Sequence, residues 1–143
     1  MFTGVYEYRV DEKGRVPIPP KFRSDELKKE GVMLRTGTDK CITVYPLSEW
    51  KKLADSLTTG PIIPSKMRKL NRAVFSTAFN AEIDGQGRIS LPSHLRQYAG
   101  IVDEVIIAGT NATIELWDKQ QWNTEIINCQ EEAGQIIETL EQH

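Results

Sequence analysis

A five-residue pattern occurs twice in this chain, as Asp11-Glu12-Lys13-Gly14-Arg15 and, 73 residues later, as Asp84-Gly85-Gln86-Gly87-Arg88. Each copy follows an alternating apolar run and precedes a short branched stretch that ends in proline. The first continues Val16-Pro17-Ile18-Pro19 and the second Ile89-Ser90-Leu91-Pro92. Apolar alternation with period two predicts a half-buried strand. An Asp with a Gly three residues later predicts the turn of a hairpin, because the carboxylate accepts from nearby amides and glycine supplies a positive φ. The arginine then stands at the turn's exit, where a long cation can reach outward. The equivalence extends well beyond the turns. Phe2 aligns with Phe75, Tyr6 with Phe79, Val10 with Ile83, Ile18 with Leu91, Phe22 with Leu95 and Arg23 with Arg96. After a one-residue slip, Gly37 meets Gly109, Tyr45 meets Trp117 and Trp50 meets Trp122. This period is too long for a solenoid unit and repeats only once. Two similar halves in 143 residues therefore predict a pseudo-two-fold unit in which each half completes the other's core.

Between the turns the pattern alternates strands and helices, an α+β class. Val5–Val10 and Val16–Ile18 are expected strands; Pro17, lacking an N–H, marks an edge or a bulge. Pro19-Pro20 open a helix that Gly31 stops. Val32–Arg35 and Cys41–Tyr45 flank a hairpin turn. Leu47–Leu57 has an amphipathic period with Ser48 as its expected N-cap. A basic helix runs from Ser65 to about Phe75. In the second half Ala81–Ile83 and Ile89–Leu91 are strands, and Ser93 is expected to cap a short helix ended by Gly100. Glu104–Ala108 and Thr113–Trp117 form a second hairpin, and Lys119–Leu140 is helical. The resulting division is a first repeat at 5–47, a helical linker at 48–75, a second repeat at 76–119 and a C-terminal helix at 120–143.

Charge is uneven. Residues 1–53 hold eleven Lys/Arg against eight Asp/Glu, residues 54–80 four against one, and residues 81–143 three against eleven. Charge alone leaves two readings open: a basic face for phosphate, or an unevenly solvated surface. The two cysteines, Cys41 and Cys129, fit no metal spacing and read as small apolar side chains in a reducing compartment. No apolar run approaches the ~20 residues of a membrane span. The N-terminus has no charged-then-apolar signal pattern, so the expectation is a soluble intracellular protein without a membrane partner. Hydrolytic chemistry needs a nucleophile beside a base. The only histidines, His94 and His143, sit in no catalytic signature. Phosphate-loop, dinucleotide, HExxH and EF-hand patterns are absent. The chain is expected to be no enzyme, with no cofactor, metal or small-molecule substrate.

Two Asp-x-x-x-Arg turns at this separation resemble the MraZ family, a branch of the swapped-hairpin barrels of the SpoVT/AbrB type. Gly87-Arg88-Ile89-Ser90-Leu91-Pro92 and Leu95-Arg96-x-Tyr98-Ala99-Gly100 carry the same likeness. So do Tyr45-Pro46…Trp50 and Glu115-Leu116-Trp117…Trp122. The resemblance runs from Met1 to about Ile127. It implies a pseudo-two-fold swapped-hairpin β-barrel built from two internal repeats with flanking helices. It implies a cytoplasmic, nucleoid-associated transcriptional regulator that binds double-stranded DNA at the promoter of its own division and cell-wall gene cluster. It also implies a ring-shaped homo-oligomer, an octamer, whose repeated turns would meet direct repeats in that promoter. Carried across by position, Asp11 and Arg15 match the first motif and Asp84 and Arg88 the second, with Gly14 and Gly87 as the turn glycines. Lys13, Arg9, Arg23 and Arg96 complete the expected DNA contacts. Lys13 faces Gln86 and Arg9 faces Glu82 across the repeat, so the first half is expected to carry more of the phosphate contact. The reading from another class is an oligomeric interaction module with no DNA role, its acidic tail binding a basic partner.

Overall fold

The computed structural model describes residues 1–142; His143, the last residue of the expected C-terminal segment, lies outside them. Eight strands and five α-helices occur among the described residues. In the first half they are β1 (Val5–Arg9), β2 (Arg15–Pro17), α1 (Asp25–Glu30), β3 (Val32–Thr36), β4 (Ile42–Pro46) and α2 (Leu47–Thr58). Next come α3 (Pro64–Leu70), β5 (Phe79–Ala81), β6 (Arg88–Ser90), α4 (Ser93–Ala99), β7 (Glu104–Thr110), β8 (Thr113–Asp118) and α5 (Lys119–Glu141). The expected α+β class is observed.

Six strands form one antiparallel sheet in the order β1-β7-β8-β4-β3-β5, and β2 pairs with β6 as a separate two-stranded ribbon. These hydrogen-bonded strands close no barrel among the described residues. The sheet order is unchanged when each strand is exchanged for its repeat counterpart. Thr43 opposite Glu115 is the midpoint of the β4–β8 pair, and Val16 opposite Ile89 is the midpoint of the ribbon. A pseudo-two-fold axis therefore runs through both. The first strand of each repeat leaves its own repeat: β1 lies on β7, and β5 on β3.

This exchange corrects one expectation. The Asp11–Arg15 and Asp84–Arg88 turns are not hairpin turns between paired strands. Each closes with its own hydrogen bond, Asp11 N–H to Arg15 C=O and Asp84 N–H to Arg88 C=O, both 2.9 Å. The strands on either side then diverge, one into the large sheet and one into the ribbon. Sequence periodicity fixes which face of a strand is apolar, not which strand lies beside it.

The core lies between the ribbon and one face of the sheet. Val16 and Ile89 enter it from the ribbon, Ile18 and Leu91 from the residues that follow its strands, and Leu34, Val44, Ile107 and Leu116 from the sheet. Phe22, Leu27, Leu95 and Ala99 close its ends. The opposite sheet face carries Cys41, Ile106 and Trp117, with Trp122 of α5 against them. Tyr45 meets Trp50 of α2 edge-on at 5.4 Å, and Trp50 meets Phe75 at 5.6 Å. Pro17 sits in a two-stranded ribbon, where both strands are edges, as its missing N–H requires.

Helix starts differ from the reading in detail. Pro20–Phe22 is a single 3₁₀ turn, and α1 begins afresh at Asp25, where the Ser24 hydroxyl accepts from Leu27 N–H. Ser48 is the second residue of α2 and Ser93 the first of α4, and the cap positions are held by Pro46 and Pro92. Ser48 instead donates its N–H to Glu26. Gly31 and Gly100 end α1 and α4 with positive φ, as expected. The basic segment is helical to Leu70 and continues as a π turn over Asn71–Phe75.

Because β1 and β5 each pair only across the repeat boundary, neither half can bury its own sheet edge. Residues 1–60 and 65–143 expressed apart are expected to show no cooperative thermal transition, whereas co-expression should recover one. Circular dichroism melting of the separate and the combined pieces checks this.

Candidate nucleic-acid interface

The candidate surface is the face of the β2–β6 ribbon that turns away from the core. Alternation along β2 buries Val16 and leaves Arg15 and Pro17 on the outer face. Along β6 it buries Ile89 and leaves Arg88 and Ser90 outward. The register sets Arg15 opposite Ser90 and Pro17 opposite Arg88, so the two motif arginines lie diagonally about the pseudo-axis. Sequence reading found the arginines but missed Ser90, an exposed hydroxyl between them; its position two residues after Arg88 was the available signal.

Each turn is a carboxylate cage. Asp11 Oδ1 accepts from the amides of Lys13 and Arg15, both at 2.9 Å, and Oδ2 accepts from Arg15 Nε at 2.8 Å. Asp84 repeats the pattern with Gln86 and Arg88 amides at 2.9 Å and Arg88 Nε at 3.0 Å. Gly14 and Gly87 donate to the Asp carbonyls and sit at φ 76° and 79°, the left-handed region that favours glycine. The Arg15 and Arg88 side chains remain 29% and 24% exposed, and Arg88 Nη1 also approaches Asp11 at 3.8 Å. Ion pairs this accessible stabilise little. Their effect is to fix where the guanidinium groups point.

The structure gives Arg23 and Arg96 a role that spacing did not suggest. Arg23 Nε donates to Ile18 C=O at 2.6 Å and Arg96 Nε to Leu91 C=O at 3.1 Å. Each guanidinium lies over the turn glycine of the other repeat. A Cβ on Gly14 would fall 3.2 Å from Arg96, and one on Gly87 would collide with Arg23. The Ile18 amide donates to Gly87 C=O and the Leu91 amide to Gly14 C=O, both 2.8 Å. These two arginines therefore brace the turns from the partner repeat. Arg9 lies at the end of β1, exposed and ion-paired with Asp103. Lys13 and Gln86 occupy the exposed turn tips.

His94 is exposed, with Nε2 3.3 Å from the Thr77 carbonyl. Among the described residues no three His, Cys, Asp or Glu side chains converge on a metal-sized site, and no helix is long and apolar enough to cross a membrane. Cys41 is buried, and that burial pushes its thiol up to about 12. Cys129 is exposed on α5.

The cages titrate in a definite direction. The Arg15 amide, followed by the Arg15 side chain and the Lys13 amide, holds the Asp11 carboxyl below the ordinary carboxylate value. The Arg88 and Gln86 amides, with the Arg88 side chain, do the same for Asp84. A depressed folded-state value means stability that is present above the unfolded value of about 3.9 and lost as pH falls through the folded value. The melting temperature of the wild-type protein should therefore fall as the pH drops below about 4. Asp11→Asn/Asp84→Asn should melt lower at neutral pH and lose less on acidification. Equal acid slopes for the two proteins would remove the cages from the account.

Comparison with known proteins bears on this geometry. A family model described as "MraZ protein, putative antitoxin-like" matches residues 1–72 and 74–137, and each matched segment holds one caged turn. Two strains of Dehalococcoides mccartyi have proteins named transcriptional regulator MraZ that are 54% identical to this chain. One aligns over 144 residues and 100% of both chains, the other over 142 residues and 99% of both. A Halothermothrix orenii protein of the same name is 44% identical over 141 residues, 99% of this chain and 97% of its own. The names are those of regulators, not of enzymes. With two matched segments, two caged turns and near-complete coverage by these relatives, the chain belongs to the MraZ family.

Proposed function

We propose that this chain is a DNA-binding transcriptional regulator that lays the outer face of the β2–β6 ribbon into the major groove. The observation that carries the reading is the pair of outward arginines, Arg15 and Arg88, each steered through Nε by its own Asp. That leaves both terminal nitrogens of Arg15, and Nη2 of Arg88, whose Nη1 also faces Asp11, for guanine O6/N7 or for phosphate oxygens. A two-stranded ribbon has the width a B-DNA major groove admits. Lys13 at the turn tip is the phosphate contact of the first repeat, and Gln86 leaves the second with one cation fewer. Arg23 and Arg96 act chiefly by bracing the turns, with one terminal nitrogen of each over the glycine and the other left for a phosphate contact. Arg9 is a peripheral contact.

The chain divides as two SpoVT/AbrB-like repeats, 5–47 and 76–119, joined by a helical linker at 48–75 and followed by the helix at 120–143. The exchange of β1 and β5 between repeats supports the swapped-hairpin description. We take the assembly to be an octameric ring. We take its site to be the promoter of the protein's own division and cell-wall gene cluster, in a nucleoid-associated, cytoplasmic setting. An isolated two-fold module suits inverted half-sites, but neighbours in a ring are related by rotation and meet DNA in one orientation. Direct repeats about one helical turn, ~10 bp, apart are therefore the preferred site.

Arg15→Ala should keep the fold and weaken binding. A lost base contact costs about 1–3 kcal/mol and relaxes specificity, whereas Lys13→Ala should weaken all sequences alike and lower the salt slope by about 1. Gel shifts across a salt series, with circular dichroism as the folding control, check both. Loss of secondary structure in Arg15→Ala would assign the arginine to turn stability instead, and no DNA binding at ~50 mM salt would leave an interaction module. On synthetic DNA, sites with direct repeats should bind more tightly than inverted repeats or direct repeats offset by half a turn. Preference for the inverted site would overturn the ring arrangement.

A further inference from the structure

α5 is packed only at its start. Trp122 and Ile126 are half-buried, but every residue from Ile127 to Gln142 is exposed. At 1.5 Å per residue the last fifteen helical residues project about 22 Å beyond the body. A helix of that length is marginal on its own in water. Along it Trp122, Ile126, Cys129, Ala133, Ile136 and Leu140 recur at spacings of four and three, the narrow apolar seam of a helix that meets a partner. Leu140 is 70% and Ile136 56% exposed. Residues 120–142 contain five glutamates and no lysine or arginine.

The complement occurs in the same chain. Residues 56–81 hold Lys66, Arg68, Lys69 and Arg72 and no carboxylate. All four cations are exposed on α3 and the π turn after it, and among the described residues none has an ion-pair partner. Glu131, Glu132, Glu138 and Glu141 are likewise unpaired among the described residues. Apolar surface accompanies the cations: Ile63, just before α3, is 56% exposed. Helix α5 makes its principal contacts with β7 and β8, not with α2 or α3, so a chain's own tail does not cover its own basic corner.

We propose that the projecting part of α5 docks on the basic α2–α3 corner of a second copy of this chain, its glutamates facing Lys66, Arg68, Lys69 and Arg72 and its seam covering Ile63. The contact joins two different surfaces of identical chains, so it can run head to tail from copy to copy and close as the ring proposed above. Lacking carboxylates, the corner could instead face DNA. The exposed seam favours an acidic amphipathic helix, because phosphate offers nothing to cover apolar side chains. The proposal rests on the self-association proposed above and identifies its contact.

The test uses the full-length chain and reads association by sedimentation velocity and light scattering. Glu131→Lys/Glu138→Lys should weaken self-association about tenfold or more, and Lys66→Glu/Lys69→Glu should do the same. A chain carrying all four changes should recover it, because the opposed charges are exchanged. Three outcomes would overturn the docking. If both charge-reversed proteins assemble as the wild type does, the ring survives and this contact is wrong. If mild oxidation of the wild type yields Cys129–Cys129 dimers, α5 pairs with α5. If Lys66→Glu/Lys69→Glu lowers DNA affinity without affecting assembly, the corner faces DNA. A wild-type chain monomeric at all concentrations removes the self-association reading as well.

Discussion

The amides of Ile18 and Leu91 reach across the molecule to the carbonyls of Gly87 and Gly14, and the rest of the fold depends on that reciprocal pair. Each bond ties the strand leaving one turn to the turn glycine of the other repeat. Both glycines are at positive φ, which aims their carbonyls at the partner rather than along their own strand. Arg23 and Arg96 then lie over the same two glycines, filling the space a side chain would take. The turn thus favours glycine twice, through its left-handed backbone and through the close approach of the arginine, which is tighter at Gly87 than at Gly14. Asp at the first position satisfies the amides that the turn exposes.

This arrangement explains why a single copy of the motif would be insufficient. A ribbon of three residue pairs is too short to stand alone, and each strand of it belongs to a different repeat. The same holds for the outer strands of the sheet, which lie on the opposite repeat. The repeats share one core, in which Val16, Leu34 and Val44 meet Ile89, Ile107 and Leu116. Exact symmetry is not preserved. The β7–β8 hairpin turns in two residues, Asn111-Ala112, whereas β3–β4 uses five, Gly37 to Cys41. The N-terminal Phe2 bridges to Asn111, while its counterpart Phe75 ends a π turn against Trp50.

How much of this was legible follows from what each kind of pattern encodes. Alternation identified the strands. The Asp and Gly spacing identified the turns, and equal spacing of the two copies identified the pseudo-two-fold. Partner choice was not legible, because a strand's alternation is the same whichever strand lies beside it. The hairpin reading of the turns failed for that reason. Arg23 and Arg96 looked like surface cations because nothing local marks an arginine that lies on a glycine 64 or 82 residues away. Ser48 and Ser93 were read as caps from residue type, but Pro46 and Pro92 hold the cap positions and fix the entry backbone. Belonging to the MraZ family was legible because both turns and their flanks match together.

The period of two also separates what holds the ribbon from what it presents. Burying a Val or Ile side chain contributes about 1.5–3 kcal/mol, while a solvent-accessible ion pair contributes about 0–1 kcal/mol. Val16 and Ile89, both buried, therefore anchor the ribbon from below, with Ile18 and Leu91 continuing the same contact. The Asp11–Arg15 and Asp84–Arg88 pairs add little to stability by comparison. Because the anchoring is on the other face, the outer face is free to hold two like-charged guanidinium groups close together, a placement that costs Coulomb energy and that each Asp offsets locally. The cations are oriented before any polyanion arrives, so the entropy of ordering two long side chains is lost on folding rather than on binding.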